Sequence, residues 1–156
     1  MKKTMILFAT CLTLLFLSCD KEKPIGIWGD IIKLSSKKVK FDKSGGINRI
    51  TTKGDSWWIL PYVYINGEIV YFHDDNSEII LEYGKFKGWD NPNVIYDEGA
   101  DMEIIKIESS WFIITKDTYK SITIEMRPNE TGLPRTLKIE LEAGNYFDRF
   151  TVEQSN

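Results

Sequence analysis

The sequence predicts an all-β protein folded as an antiparallel sandwich of about seven to ten strands, and three observations predict it. Short runs of alternating apolar and polar residues recur along the chain, each closed by Gly, Asn, Asp or Pro. No window holds an apolar stripe of helical period. Asn66-Gly67 is a hairpin signal strong enough to set a register, because both residues tolerate the positive φ of a two-residue turn. With 156 residues, 28% charged and 42% hydrophobic, the chain is one packed domain's worth, neither disordered nor a multispan membrane protein. Twenty basic against 23 acidic residues leave no broad positive field, so nucleic acid is not an expected partner.

Residues 1–18 read as a bacterial secretory signal. Lys2 and Lys3 precede an uncharged apolar run over residues 5–17, too short to span a bilayer. Phe16-Leu17-Ser18-Cys19 resembles a lipobox, in which a small residue precedes a Cys that receives lipid. That resemblance implies Cys19 as the lipidation site and first mature residue, residues 19–24 as a charged tether, and residues 25–156 as a single domain. An ordinary signal peptide or a short uncleaved anchor is the alternative. Lys21-Glu22 after Asp20 resembles lipoprotein surface-export signals, so the expected place is the cell envelope, at an outer membrane, on either the periplasmic or the surface side. Cleavage leaves 138 residues with 18 basic and 23 acidic side chains, a charge of -5. Cys11 departs with the signal and Cys19 becomes a thioether, so no thiol remains for a disulfide, a catalyst or a metal.

Each strand has its own alternation. Val39 and Phe41 oppose Lys38, Lys40 and Asp42; Ile122, Ile124 and Met126 oppose Thr123, Glu125 and Arg127. Leu137, Ile139 and Leu141 oppose Lys138, Glu140 and Glu142, and Phe150 and Val152 oppose Arg149, Thr151 and Glu153. The turn at Asn66-Gly67 sets Tyr62 against Tyr71, Val63 against Val70, Tyr64 against Ile69 and Ile65 against Glu68. One face of that hairpin then carries Val63, Ile65, Val70 and Phe72, suited to a core. The other carries Tyr62, Tyr64, Ile69 and Tyr71, rings with an apolar body and a polar tip. Residues 84–101 read as a long loop, broken by Gly84, Gly88, Pro92 and Gly99.

Two flanks resemble the BACON family, β-sandwich domains of Bacteroidetes named for carbohydrate binding. The first is Leu34-Ser35-Ser36, Val39-x-Phe41-Asp42-x-Ser44-Gly45-Gly46, Ile50-Thr51-Thr52 and Ser56-Trp57. The second runs through Trp111-Phe112-x-Ile114-Thr115, Ile122-Thr123-Ile124, Asn129-x-Thr131-Gly132-x-Pro134-Arg135, Leu137-x-Ile139 and Phe150-Thr151-Val152-x-Gln154. Together they cover about half of the chain. The resemblance implies an immunoglobulin-like sandwich in an extracellular or lipoprotein setting. Residues 58–108 fall between the flanks as an insertion of about fifty residues. Gly45-Gly46 reads as a turn of free φ, Asn129 to Pro134 as a capped loop that Arg135 holds, and Trp57 and Trp111 as core anchors.

Catalytic chemistry finds few materials. His73 is the single His, beside Asp74 at a strand end, and there is no Gly-x-Ser-x-Gly elbow. Asp90, Asp97, Glu98 and Asp101 gather oxygen ligands, but their spacing is not that of an EF-hand, and neither metal nor cofactor is expected. Sugar recognition needs less, a flat ring to stack on a pyranose and polar groups for its hydroxyls. With Trp57 inward, Trp58 falls on the side of Tyr62 and Tyr64 if Pro61 keeps the parity. The expectation is a non-catalytic, lipid-anchored module whose aromatic surface, Trp58, Tyr62, Tyr64, Tyr71 and Trp89, binds carbohydrate. The alternative is a structural spacer, or a subunit that meets an envelope protein with the same face. A second packing layer under a loop would use the tyrosines equally well.

Overall fold

The computed structural model describes residues 29–73, 78–84 and 103–156. Among the described residues ten strands form two five-stranded sheets, and no helix occurs. In chain order they are β1 (Lys38–Phe41), β2 (Gly46–Thr51), β3 (Trp58–Ile65), β4 (Glu68–Tyr71), β5 (Ile80–Gly84), β6 (Glu103–Glu108), β7 (Phe112–Thr118), β8 (Ser121–Met126), β9 (Arg135–Ala143) and β10 (Tyr146–Gln154). The first sheet has the order β1-β10-β9-β3-β4 and the second β2-β8-β7-β6-β5. The pairs are antiparallel, as expected of the sandwich, except β1 with β10, which run parallel. β1 and β10 lie at opposite ends of the domain sequence, so no tight turn constrains their direction.

Alternation decides which face is buried. Leu137, Ile139 and Leu141 of β9, Phe150 and Val152 of β10, Ile122 and Ile124 of β8, and Phe112 and Ile114 of β7 lose essentially all contact with water. They meet between the sheets as one core. Truncating one such residue to Ala costs about 2–5 kcal/mol. The hairpin register is the expected one in every pair, Tyr62 with Tyr71 through Ile65 with Glu68. Asn66 adopts φ 52°, and its side-chain oxygen accepts the Thr136 N–H at 2.8 Å, tying the turn to β9.

Residues 58–108 widen both sheets. β3 and β4 complete one edge of the first, while β5 and β6 complete one edge of the second. The ends of the sandwich carry the polar structure. At one, Trp57 is buried, with Nε1 donating to Thr52 Oγ1 (3.0 Å) and the Lys116 ammonium 4.1 Å from its ring centroid. Lys116 also donates to the Trp57 carbonyl (2.6 Å) and pairs with Glu103, and burial pushes its pKa down. At the other, Arg135 donates to Gln154 Oε1 (2.9 Å) and to the carbonyls of Arg127 (2.8 Å) and Pro128 (3.3 Å), with its guanidinium over the half-buried Trp111. Asn129 caps its own loop, donating to the Leu133 and Ser155 carbonyls and accepting from Thr131. At Gly45, φ is 76° and a Cβ would run into the Met126 carbonyl, so the turn before β2 requires glycine.

Candidate functional site

The outward face of the first sheet carries the aromatic residues. β3 contributes Trp58, Tyr62 and Tyr64, and β4 contributes Ile69 and Tyr71. Their shared side survives an irregularity around Pro61. Ile59 pairs with Leu141 and Val63 with Ile139, so β3 spends four residues where β9 spends two. Two extra residues preserve the parity, and Trp58 stays on the side of Tyr62 and Tyr64.

Tyr62 is the hub. Its ring lies 5.8 Å from that of Tyr64 and 5.7 Å from that of Tyr71, both edge to face, an arrangement aromatic quadrupoles favour. His73, an exposed turn residue, extends the row with its ring 5.6 Å from that of Tyr71. The Tyr62 hydroxyl donates to Glu140 Oε2 at 2.8 Å. Burial first, then that bond to a carboxylate, push its pKa up to about 12. Tyr64 is capped by Lys138, whose ammonium stands 3.2 Å from the ring centroid. Tyr62 and Tyr64 therefore form a half-buried floor, already engaged by protein groups. Of the rings on β3 and β4, those that reach solvent are Trp58 and Tyr71.

Trp58 stands apart from the tyrosines. It pairs in register with Glu142, four residues along β9 from the Lys138 opposite Tyr64, a separation of ~13 Å. Its Nε1 donates to Glu142 Oε2 at 3.2 Å. On the next strand Phe147 faces Glu142 from the other side and is exposed. Glu142 thus lies between two open rings whose strands are about 10 Å apart. Sequence reasoning omitted Phe147, although the alternation that sends Phe150 inward sends Phe147 out beside Arg149. It also omitted Glu140, Glu142 and Lys138, whose place beside the rings depends on β9 pairing with β3, which no local signal states. Cys19 and Trp89 lie outside the described residues, as do the signal segment, the tether and residues 85–101 of the long loop.

The face holds rings, carboxylates and cations in reach of one another, the equipment for binding a polyhydroxylated or amphipathic partner. Among the described residues no group of three or more His, Cys, Asp or Glu is placed to hold a metal ion, and no helix is long and apolar enough to cross a membrane.

No family model matches this chain, and no curated protein does. Among solved structures, the NMR structure of a protein from Bacteroides thetaiotaomicron is similar at a TM-score of 0.53 and 20% identity, covering 81% of this chain and 88% of that one. The likeness shows a shared fold. An endo-fucoidan hydrolase of glycoside hydrolase family 107 aligns at a TM-score of 0.31 and 7% identity, with 85% of this chain against 15% of that one.

Proposed function

We propose that this chain is a non-catalytic, glycan-binding module of the cell envelope, held there by lipid on Cys19, and that it binds through the outward face of β3, β4, β9 and β10. The observation that carries the reading is that Trp58 and Tyr71 reach solvent on one sheet face, Trp58 bonded to Glu142 and Tyr71 packed on the Tyr62 that bonds Glu140. A pyranose stacks its apolar side on such rings, while carboxylates accept its hydroxyls. The tyrosine floor stiffens the platform, so less conformational freedom is lost on binding.

The test is retention of the full chain, purified in mild detergent, on polysaccharide affinity gels. Retention should weaken about tenfold or more when Trp58→Ala and Tyr71→Ala are combined, with the melting curve still cooperative. Undiminished retention would remove the site from this face. Ile69, exposed opposite Tyr64, adds aliphatic surface and favours a second reading, a protein partner from the same envelope. Capture of one defined envelope protein, with no retention on any polysaccharide, would establish that reading instead.

A further inference from the structure

β1 pairs with β10 only along Thr151–Gln154, so the first half of β10 has no strand on its other side among the described residues. An open hollow of about 520 Å³ lies there, lined by Lys37, Glu140, Tyr146, Phe147, Asp148 and Arg149. It adjoins the aromatic face, since Phe147 and Arg149 belong to both.

Charge in the hollow is layered. Asp148 is buried, its side chain 5% exposed, and Oδ1 accepts both the Arg149 N–H and the Lys37 ammonium at 2.8 Å. Lys37 itself is 59% exposed. Glu140 is 15% exposed beneath an Arg149 that is 66% exposed. Lys138 is likewise more exposed than its partner Glu140, and Lys38 more than Glu153, which also meets solvent. The acids hold the cations in place while the cations meet the solvent.

Two groups in this layer are underused. The Arg149 guanidinium approaches Glu140 no closer than 3.7 Å, beyond hydrogen-bonding distance, which leaves its planar fork of N–H donors available. Asp148 Oδ2 is buried and no described residue donates to it, so it can accept from a ligand hydroxyl. Beside them Phe147, an apolar ring 57% exposed, contributes little to the core.

We infer that the hollow binds an acidic sugar, with Phe147 under the ring and the Arg149 fork and Lys37 ammonium on its anionic oxygens. This rests on the glycan reading and names the class of glycan. A uronate carboxylate and a sulfate ester share the required geometry, two or more anionic oxygens for a bidentate guanidinium.

The experiment is calorimetric titration of the full chain in detergent with polygalacturonate, chondroitin sulfate and neutral dextran. Arg149→Gln and Phe147→Ala serve as separate variants, both at exposed positions. Binding to an anionic polymer, weakened about tenfold by each variant and further by raising salt from about 50 to about 200 mM, is expected. Which anionic polymer binds distinguishes uronate from sulfate. Anionic binding that survives Phe147→Ala is plain ion exchange and overturns the inference. Binding of dextran alone, lost in Trp58→Ala and indifferent to Arg149→Gln, overturns it while leaving the aromatic glycan site standing. Binding to none of the three overturns it together with the glycan reading.

Discussion

Tyr62 shows how one side chain serves packing and electrostatics together. Its ring joins Tyr64 and Tyr71, and its hydroxyl gives Glu140 a proton to share. A phenol whose pKa is raised by folding keeps its proton where the unfolded chain has lost it. The stability it contributes is therefore complete below the ordinary value of 10.0 and disappears as pH rises from there through about 12. Tyr62→Phe should cost about 2 kcal/mol at neutral pH by urea denaturation, the net worth of one hydrogen bond to a charged group. The same variant should flatten the fall in stability above pH 10, and tyrosinate absorbance should lose one phenol from the high end of the titration. An unaltered alkaline profile would mean that Glu140 does not hold this proton. That Tyr62 sits on an outward face was legible in the sequence, because two residues of separation from Tyr64 suffice to place it. Its partner was not legible, since Glu140 lies 78 residues away.

β3 is the element on which the site depends, and its irregularity is a matter of counting. The chain inserts two residues between Ile59 and Val63, of which Leu60 is buried and Pro61 exposed. Proline supplies no N–H to a ladder, which suits it to the bulged position, and its carbonyl accepts the Phe72 N–H at 3.2 Å, closing the β4 side. Deleting Leu60 and Pro61 together keeps every side chain on its own face. It should cost about 2–3 kcal/mol, the burial of one leucine with some lost bonding. Deleting Pro61 alone changes the parity and drives either Trp58 or the tyrosines toward the core. That single deletion should unfold the domain, or abolish the sharp urea transition that the double deletion retains. Similar stabilities for the two deletions would show that β3 absorbs the insertion by looping out and not by register. Alternation in β9 and β10 and the Asn66-Gly67 turn made the core faces and the hairpin pairing readable beforehand. The parallel pairing of β1 with β10 was not readable, because sequence period fixes a strand's faces and leaves its neighbours and direction open. Phe147 could have been read from parity alone, as the apolar residue on the charged side of its strand.

Across the whole molecule, the two sheets meet through an apolar middle and are fastened at both ends by buried polar groups. Trp57 with Lys116 fastens one end, Arg135 the other. The Arg135 knot draws on β9 and β10 in one sheet and on the chain leaving β8 in the other, through Gln154 and the Arg127 and Pro128 carbonyls. Replacing Arg135 by Met keeps the apolar stem but leaves Gln154 Oε1 and the Pro128 carbonyl without this donor, and the Arg127 carbonyl with Gln154 Nε2 alone, a loss of about 3 kcal/mol by the cost of buried unpaired groups. Because β1 attaches to the fold through the Thr151–Gln154 half of β10, the loss should be local before it is global. Native-state hydrogen exchange on Arg135→Met should show amides of β1 and of residues 151–154 opening at free energies well below the global value. Ile114 and Ile124, paired across the centre of the second sheet, should still exchange only by full unfolding. A uniform drop in protection over all ten strands would mean that the knot belongs to one indivisible cooperative unit. Localised opening would identify the parallel β1–β10 pair, the contact that joins the first strand to the last, as a late and separable step of folding. That assignment agrees with the high entropic cost of closing so long a loop before any local gain offsets it.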